Sequence, residues 1–303
     1  MKHVVSLSLG SSRRDKTVRA VLEGEEFEIR REGVDGDQQR FVRRLAELDG
    51  TVDAIGFGGM DRYLWSDGRR YEFPAAARLL AGAVRTPVLD GSGLKNTLER
   101  EAVERLASEG AIDFKRSRTL VVSGVDRFGM GEAIAAQGGE VVFGDLLFGL
   151  GLPFPIRGIT ALRRVAKVLL PVVLRMPISM LYPTGEKQDA IEPKHESWYR
   201  WADTIAGDFL YIRRLLPTAE SGALVGKTIL TNTTTAADHE ELRSRGVARL
   251  ITTTPVFDGR SFGTNVMEAM LVALEGRRLD EAGYRDWIHR LGWVPRIVDL
   301  RHG

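Results

Sequence analysis

One segment, residues 119–145, constrains the fold of this chain more than any other, because its pattern is that of a strand, a glycine turn, a helix and a second strand. The apolar run at 119–123 is followed by glycines at positions 124, 129 and 131. The helix that begins there leads into residues 140–145, a β-branched run that ends in an acid. Two strands joined by a crossover helix pair in parallel, so the segment predicts an α/β fold.

The glycine turn also predicts a dinucleotide site. Glycines let the backbone approach a pyrophosphate, and the helix N-terminus offers free N–H groups and a positive dipole. Asp145 follows Gly124 by about 20 residues, the separation at which an acid holds the ribose hydroxyls of NAD. We therefore expect NAD as the cofactor, in preference to NADP. The expected contacts are Gly124, Asp126, Arg127, Phe128, Gly129, Met130, Gly131 and Asp145.

The glycine spacing, G-x-x-x-x-G-x-G, departs from the usual G-x-G-x-x-G and leaves two alternatives open. Such a turn can serve packing alone, and methyltransferases also place glycines after a first strand and an acid after a second. A later strand, at 229–235, favours the dinucleotide because its polar end suits a ribose and a nicotinamide. These polar residues are Asn232, Thr233 and Thr234. A further helix start could close over the nicotinamide, through Gly263, Thr264 and Asn265.

Composition excludes several classes of protein. The 43 Lys and Arg residues nearly balance 41 Asp and Glu residues, so a nucleic-acid partner is not expected. The chain has no cysteine, which excludes disulfides and thiolate metal sites. Its five histidines lie far apart in sequence, and we expect no metal site. The first residues lack the apolar stretch of a signal peptide, so we expect a cytoplasmic protein.

The most apolar region, residues 146–181, does not predict a membrane span, because basic residues interrupt it well before the roughly 20 apolar residues that a span needs. Its apolar residues recur at helical spacing and predict a helix that covers one face of a sheet. These residues are Ile159, Leu162, Ala166, Leu169 and Val173. A surface that faces lipid or an anionic substrate is the alternative.

With 303 residues the chain is long enough for two domains. Strand and helix patterns alternate along both halves, which favours mostly parallel sheets. We predict an N-terminal α/β substrate domain at 1–115 and a Rossmann-like, doubly wound parallel-sheet domain at 116–275. Residues 276–303 are predicted to add a helix and a strand whose sheet the sequence does not specify.

Five segments resemble bacterial proteins described as quinate 5-dehydrogenases. They are VVSLSLGSS (4–12), DGSGLKNT (90–97), GDLLFGLGLP (144–153), LYPTGEKQ (181–188) and SFGTNVMEA (261–269). The resemblance implies the domain order of the wider shikimate and quinate dehydrogenases, a substrate domain followed by a dinucleotide domain. Those enzymes use a lysine in Asn-x-Thr-x-Pro-x-Lys with a partner aspartate. This chain lacks that motif, and Lys95 beside Asn96 is its nearest counterpart.

The candidate catalytic residues are Lys95, Asp90 and Asp61. Oxidation of an alcohol needs a base or proton relay near the hydroxyl, and a partly buried lysine held by a carboxylate can titrate closer to neutrality. The alternative is that Lys95, at a helix start, is simply solvated.

Two polar segments are candidate substrate contacts. Hydroxyl, N–H and guanidinium groups near the end of the first strand could hold an anion, at Ser8, Ser11, Ser12 and Arg13. The second set consists of Asn96 and, in a loop after a predicted strand at 179–183, Tyr182, Thr184 and Lys187. A solvated loop is the alternative for the latter.

Together these features predict an NAD-dependent oxidoreductase that acts on a polyhydroxylated or carboxylated, quinate- or shikimate-like small molecule between two domains. One alternative is a nucleotide-binding or regulatory protein of the same fold without dehydrogenase activity, and another is a transferase. A small-molecule substrate and, as an option, a second copy of the chain are the expected partners.

Overall fold

The computed structural model describes residues 1–176, 192–257 and 260–301. Two main sheets, of five and seven strands, each carry helices on both faces. The expected mixed α/β fold with parallel sheets is therefore confirmed. The strand predicted at 179–183 lies outside the described residues.

The first sheet has the order β2-β3-β1-β4-β7, and β1 pairs in parallel with both β3 and β4. β2 and β3 form an antiparallel hairpin. It turns at Glu23 and Gly24, whose φ angles of 53° and 78° suit a tight hairpin turn. The strands are β1 (Lys2–Ser8), β2 (Lys16–Leu22), β3 (Glu25–Gly33), β4 (Ala54–Gly58) and β7 (Val88–Leu89).

One face of this sheet is covered by two helices, α1 (Gln38–Leu48) and α2 (Pro74–Leu80). In α1 the buried residues Phe41, Leu45 and Leu48 recur at helical spacing, and the Asp37 carboxylate caps the first turn by accepting from Arg40 N–H. A small antiparallel hairpin lies between β4 and α2, and it consists of β5 (Tyr63–Ser66) and β6 (Arg69–Glu72).

The second sheet has the order β10-β9-β8-β11-β12-β13-β16. Its five inner strands are parallel, whereas the two edge strands, β10 and β16, are antiparallel to their neighbours. The final strand of the chain therefore joins this sheet. The strands are β8 (Arg118–Val121), β9 (Glu140–Phe143), β10 (Ile156–Arg157), β11 (Thr204–Ala206), β12 (Thr228–Thr231), β13 (Arg249–Thr252) and β16 (Arg296–Asp299).

Helices between these strands cover both faces of the second sheet. They are α4 (Phe128–Ala136), α5 (Gly158–Val173), α6 (Glu196–Trp201), α7 (Phe209–Arg214) and α8 (Ala236–Ser244). A two-stranded hairpin of β14 (Val256–Phe257) and β15 (Arg260–Ser261) follows β13. No described helix is both long and apolar enough to span a bilayer.

One long helix, α3 (Ser92–Ser108), joins the two sheets. Leu94 and Leu98, in its first half, lie in the core of the first sheet. Val103 and Leu106, further along, lie in the core of the second. Polar residues near the middle of α3 are therefore held where the two cores meet.

The last helices of the chain, α9 (Thr264–Glu275) and α10 (Glu281–Arg290), return to the first sheet. The predicted range 116–275 places α9 with the second sheet, and the structure differs because α9 is apolar on nearly every side. Its buried residues pack on β1 and β4 and against α3. A helix so uniformly apolar must be covered on all faces, and the space between the first sheet and α3 covers it.

The two sheets turn the carboxyl ends of their strands toward one cavity. In the first sheet the neighbours β3 and β4 lie on opposite sides of β1, and in the second β9 and β11 lie on opposite sides of β8. Such points, where the strand order reverses, leave a crevice at the carboxyl edge of an open sheet. The fold therefore brings two crevices face to face.

Candidate functional site

The cavity between the sheets has a volume of about 680 Å³, within the roughly 300–1,000 Å³ range of small-molecule sites. The first sheet contributes Ser8 and Gly58, at the ends of β1 and β4, and the second contributes Ser123, Asp208 and Asn232 beyond β8, β11 and β12. Of the residues predicted from sequence, the cavity is lined by Ser8, Asp61, Asp90, Lys95, Asp126, Arg127, Asp145, Asn232, Gly263, Thr264 and Asn265.

Lys95 lies at the centre of a charged cluster on the cavity wall. Its Nζ lies 2.8 Å from Asp126 Oδ1 and 3.1 Å from Asp61 Oδ1. Its side chain is 9% exposed, against 19% for Asp61 and 23% for Asp126. Lys95 thus joins the bridging helix α3 to one loop from each sheet.

Arg127 extends the cluster through the second sheet. Its guanidinium contacts Glu99, donates from Nε to Asp126 Oδ2 at 3.0 Å, and donates from Nη2 to Asp208 Oδ2 at 2.6 Å. Asn232 Nδ2 donates to the same Asp208 oxygen at 2.9 Å. Lys95 and Arg127 face four carboxyl groups, so the cluster keeps a net negative charge even when Glu99 is protonated.

The electrostatics of the cluster do not suit a lysine base. Burial alone would lower the pKa of Lys95, but the Asp126 and Asp61 carboxylates outweigh it and raise that pKa above its usual value. Burial likewise opposes ionisation of Asp126, yet Lys95 and Arg127 hold its pKa below the usual range. Burial raises the pKa of Glu99. Lys95 is therefore a fixed cation that positions carboxylates, and not a group that titrates near neutrality.

The glycine turn does not fit a dinucleotide, because the two N–H groups at its start, those of Gly124 and Val125, are already bonded within the chain. The Asp145 carboxylate accepts from Gly124 N–H and from Val125 N–H, both at 2.9 Å. Asp145, the acid expected to bind a ribose, thus accepts the hydrogen bonds of N–H groups at the start of the turn, where a pyrophosphate was expected. Burial raises the pKa of Asp145 to about 6, although the two N–H groups act in the opposite direction.

The other glycines of the motif serve packing between elements. A Cβ on Gly129 would lie 2.5 Å from the Asn96 carbonyl oxygen, and one on Gly131 would lie 2.7 Å from the Phe143 ring. Gly129 thus lets α4 approach α3, and Gly131 lets α4 approach β9. Phe128 and Met130 are buried in the core on one face of the second sheet. Of the three roles considered for the glycine turn, packing between elements is the one that this geometry supports.

Asp90 organises the chain around the cavity. Its Oδ2 accepts from Arg62 N–H and Tyr63 N–H at 2.9 Å each, and its Oδ1 accepts from the Ser92 hydroxyl at 2.8 Å. It does not pair with Lys95 in the described contacts, in contrast to the sequence-based expectation. Asp90 therefore fixes the backbone at Arg62 and Tyr63, where β5 begins, and the start of α3.

Several predicted contacts lie away from the cavity. The Ser11 hydroxyl accepts from Arg13 N–H, and Ser12 N–H donates to Asp35, so these residues shape a surface turn. Asn96 packs against Gly129 between two helices. Thr233 and Thr234 do not line the cavity, and Thr234 contacts His239 instead. The candidates Tyr182, Thr184 and Lys187 lie outside the described residues.

Sequence reasoning also missed a buried acid outside the Lys95 cluster, Glu268 in α9. Its Oε2 accepts from Gly91 N–H at 2.7 Å and its Oε1 accepts from the Tyr284 hydroxyl at 2.5 Å. Burial and the nearby Asp90 raise its pKa to about 7. A lone acid among the apolar residues of 266–274 is a signal in the sequence that could have indicated this burial.

Across the residues that the structure describes, no three His, Asp or Glu side chains are grouped as metal ligands would be. The carboxylates of the cluster are paired instead with Lys95 and Arg127.

Two sequence families match the chain. One, described as domain of unknown function DUF8754, matches residues 93–300, and the other, domain of unknown function DUF8753, matches residues 3–90. No curated protein matches the chain in sequence.

The solved structures that match the chain include solute-binding proteins of transporters. One, from Actinobacillus succinogenes with bound D-allose, is 11% identical with a TM-score of 0.41, over 99% of this chain and 98% of that one. A periplasmic ribose transporter protein from Conexibacter woesei is 10% identical with a TM-score of 0.42, over 99% and 92%. A protein from Bacillus halodurans with bound myo-inositol is 11% identical with a TM-score of 0.39, over 99% and 95%.

These findings correct the expectations drawn from the resemblance. The relationship to quinate dehydrogenases is wrong, because the families that match the chain are domains of unknown function. The predicted NAD-dependent oxidoreductase, and with it the dehydrogenase activity, is wrong for the same reason. NAD as the cofactor is also wrong, and the Asp145 contacts with the glycine turn give the physical reason.

Proposed function

The chain belongs to the family described as domain of unknown function DUF8754, and we propose that it binds a small hydroxylated molecule between its two sheets. The proposal includes two finer points: the second sheet is Rossmann-like in its winding, and the segments at 1–115 and 116–275 form the two walls of the site, with α9 returned to the first. A binding protein of this kind needs no cofactor and no catalytic base.

The observation that carries the proposal is the position of the cavity. It lies at the carboxyl ends of two sheets, where each strand order reverses, and both sheets contribute polar groups to it. Ligands of open α/β sheets bind in such crevices because loops there can present side chains and free backbone groups without disturbing the core. A cavity built this way from both sides can surround a ligand.

The charges of the cavity favour a ligand that donates hydrogen bonds. Asp61, Asp126 and Asp208 each keep about a fifth of their side chain exposed, at 19%, 23% and 24%. Each ionised carboxylate offers about four acceptor positions, of which the cluster uses only some. Hydroxyl groups can donate to the rest, whereas a carboxylate in contact with this cluster would meet its net negative charge. The basic residues Arg14, Lys16, Arg31 and Arg214 also line the cavity, which is why an anionic comparison is part of the test.

Calorimetric titration with neutral polyols tests the proposal. D-Allose, ribose and myo-inositol are suitable probes, with a carboxylated cyclitol as the anionic comparison. Asp61→Asn keeps the shape of the wall and leaves Lys95 paired with Asp126, and we expect it to weaken polyol binding by about tenfold, the worth of one charged hydrogen bond. Asp113→Asn, on an exposed turn, is the matched control. Stronger binding of the anionic cyclitol than of every neutral polyol would contradict the proposal.

Two earlier expectations remain predictions of this proposal. A cytoplasmic location is tested by cell fractionation with an antibody against the chain. Association of two copies is tested by light scattering on the purified protein.

A further inference from the structure

One side of the cavity is apolar along the length of a helix. α5 lines it with Leu162, Val165, Ala166, Leu169 and Val173. Leu146 and Leu150, which precede α5, continue this surface. We call these seven residues the α5 wall. Their side chains end in methyl groups, so the α5 wall supplies no side-chain donor or acceptor.

The first sheet supplies further apolar side chains to the same cavity. They come from the end of β4, the loop beyond it, the hairpin and the start of α2, and they are Phe57, Met60, Leu64 and Phe73. α5 packs directly on this part of the protein, because Ala166 and Leu170 share a core cluster with Phe57 and Phe73. The cavity is therefore apolar on surfaces from both halves of the chain.

One group of polar side chains lies on the loops after β4, β8, β11 and β12. It consists of Asp61, Asp126, Asp208 and Asn232, which Lys95, Arg127 and the Asn232–Asp208 hydrogen bond link together. The basic residues Arg14, Lys16, Arg31 and Arg214 also line the cavity. The lining thus includes this hydrogen-bonded carboxylate cluster, basic side chains and the α5 wall.

A free monosaccharide or cyclitol does not match this lining. It carries hydroxyls around its whole ring, and those that face the α5 wall would lose their water without gaining a hydrogen-bond partner, which opposes binding. A fatty acid leaves the carboxylate cluster without a hydrogen-bond donor, because its own carboxylate only accepts and would have to lie beside the basic residues Arg14, Lys16, Arg31 or Arg214 instead. A ligand with a hydroxylated headgroup and a hydrocarbon chain matches both the carboxylate cluster and the α5 wall.

We propose that the ligand is amphiphilic, with a neutral hydroxylated headgroup at the Asp61, Asp126 and Asp208 cluster and a hydrocarbon chain along the α5 wall. This inference rests on the proposed binding function and names its ligand class. Alkyl or acyl derivatives of a sugar or polyol are the simplest members of that class.

Titration of the purified full chain with glucose and with hexyl, heptyl and octyl glucoside, all below their micelle concentrations, tests the inference. Octanoate is the probe for a chain without a hydroxylated head. Each methylene that enters an apolar site is worth about a fourfold gain in affinity. We expect the affinity to rise by about that factor at each step, and so by about sixteenfold from hexyl to octyl glucoside. We expect both glucose and octanoate to bind more weakly than octyl glucoside.

A matched pair of variants on α5 shows where the chain binds. Leu169 faces the cavity, whereas its neighbour Val168 is 70% exposed and does not line it. Leu169→Gln should lower the affinity for octyl glucoside by about tenfold or more, the worth of one apolar side chain in contact with the ligand. Val168→Gln should leave the affinity unchanged. Unfolding curves of both variants verify that they fold.

The outcomes separate this inference from the function on which it rests. Glucose binding as tightly as octyl glucoside, with no effect of chain length, would overturn the amphiphilic ligand and leave a polyol-binding protein. Octanoate binding as tightly as octyl glucoside would overturn the hydroxylated headgroup. Equal losses in the two α5 variants would place the chain on the protein surface and overturn the inference. Failure of glucose and all glucosides to bind would overturn the proposed function as well.

Discussion

Lys95 Nζ lies 2.8 Å from Asp126 Oδ1, and this ion pair joins the helix that bridges the two sheets to the turn that follows β8. The same ammonium reaches Asp61, on the loop after β4, at 3.1 Å. A single cation therefore holds loops of both sheets at the cavity.

Removal of this cation should be strongly destabilising. Lys95→Met leaves Asp61 and Asp126 as neighbouring carboxylates without their shared cation, and we expect the free energy of unfolding to fall by about 3–5 kcal/mol. Urea unfolding followed by tryptophan fluorescence measures it. Lys194→Met is the control, because the pair with Glu192 is 48% and 49% exposed and such pairs contribute about 0–1 kcal/mol. Equal losses in both variants would show that Lys95 is not structural.

Gly129 tests whether the glycine motif serves packing. In a helix an alanine is ordinarily better than glycine by about 1 kcal/mol, but here its Cβ would lie 2.5 Å from the Asn96 carbonyl oxygen. We expect Gly129→Ala to lower the free energy of unfolding by about 1–3 kcal/mol. Gly82→Ala, where a Cβ meets nothing within 4 Å, should be close to neutral. A stabilised Gly129→Ala protein would contradict the close packing of α4 on α3.

Glu268 should make stability depend on pH. Its pKa is about 7 in the folded protein against 4.5 in the unfolded chain, so the folded state holds the extra proton in this interval. Stability from this group is therefore greatest below about pH 4.5 and falls as the pH rises to about pH 7. The loss amounts to about 3 kcal/mol at most.

The variant Glu268→Gln isolates this effect. The amide oxygen can accept from Gly91 N–H while the amide nitrogen donates to the Tyr284 hydroxyl, so both hydrogen bonds have partners. Urea unfolding across the interval should show a weaker decline in the variant than in the parent. Part of the decline should remain, because the pKa of Asp145 is also raised, to about 6. Identical slopes for the two proteins would refute the assignment to Glu268.

NAD should not bind. The Gly124 and Val125 N–H groups donate to Asp145 at 2.9 Å each, and a pyrophosphate would have to displace a partly buried carboxylate from both. Calorimetry with NAD at millimolar concentration should give only the heat of dilution. A titratable signal that Asp145→Ala strengthens would show that the turn can open to a dinucleotide.

The sequence predicted several elements of the second sheet correctly. The strands within 119–123 and 140–145, the helix between them and the helix that begins near 158 follow from runs of β-branched residues and from apolar residues at helical spacing. Such patterns are local, because each reports which face of one element is buried. They also placed Lys95, Asp61 and Asp126 among the candidate site residues, and the structure brings these three together.

The tertiary structure alone decided what each buried face meets and which polar groups are already bonded. α9 is apolar on nearly every side, and nothing local indicates that it packs on the first sheet. The glycine turn looks the same in sequence whether its N–H groups are free for a pyrophosphate or bonded to Asp145. The sequence by itself thus determined the elements and the polar strand ends, since these depend on neighbours along the chain. Which groups of the site are free to bind a ligand depends on contacts between residues distant in sequence, and only the packed chain determines those contacts.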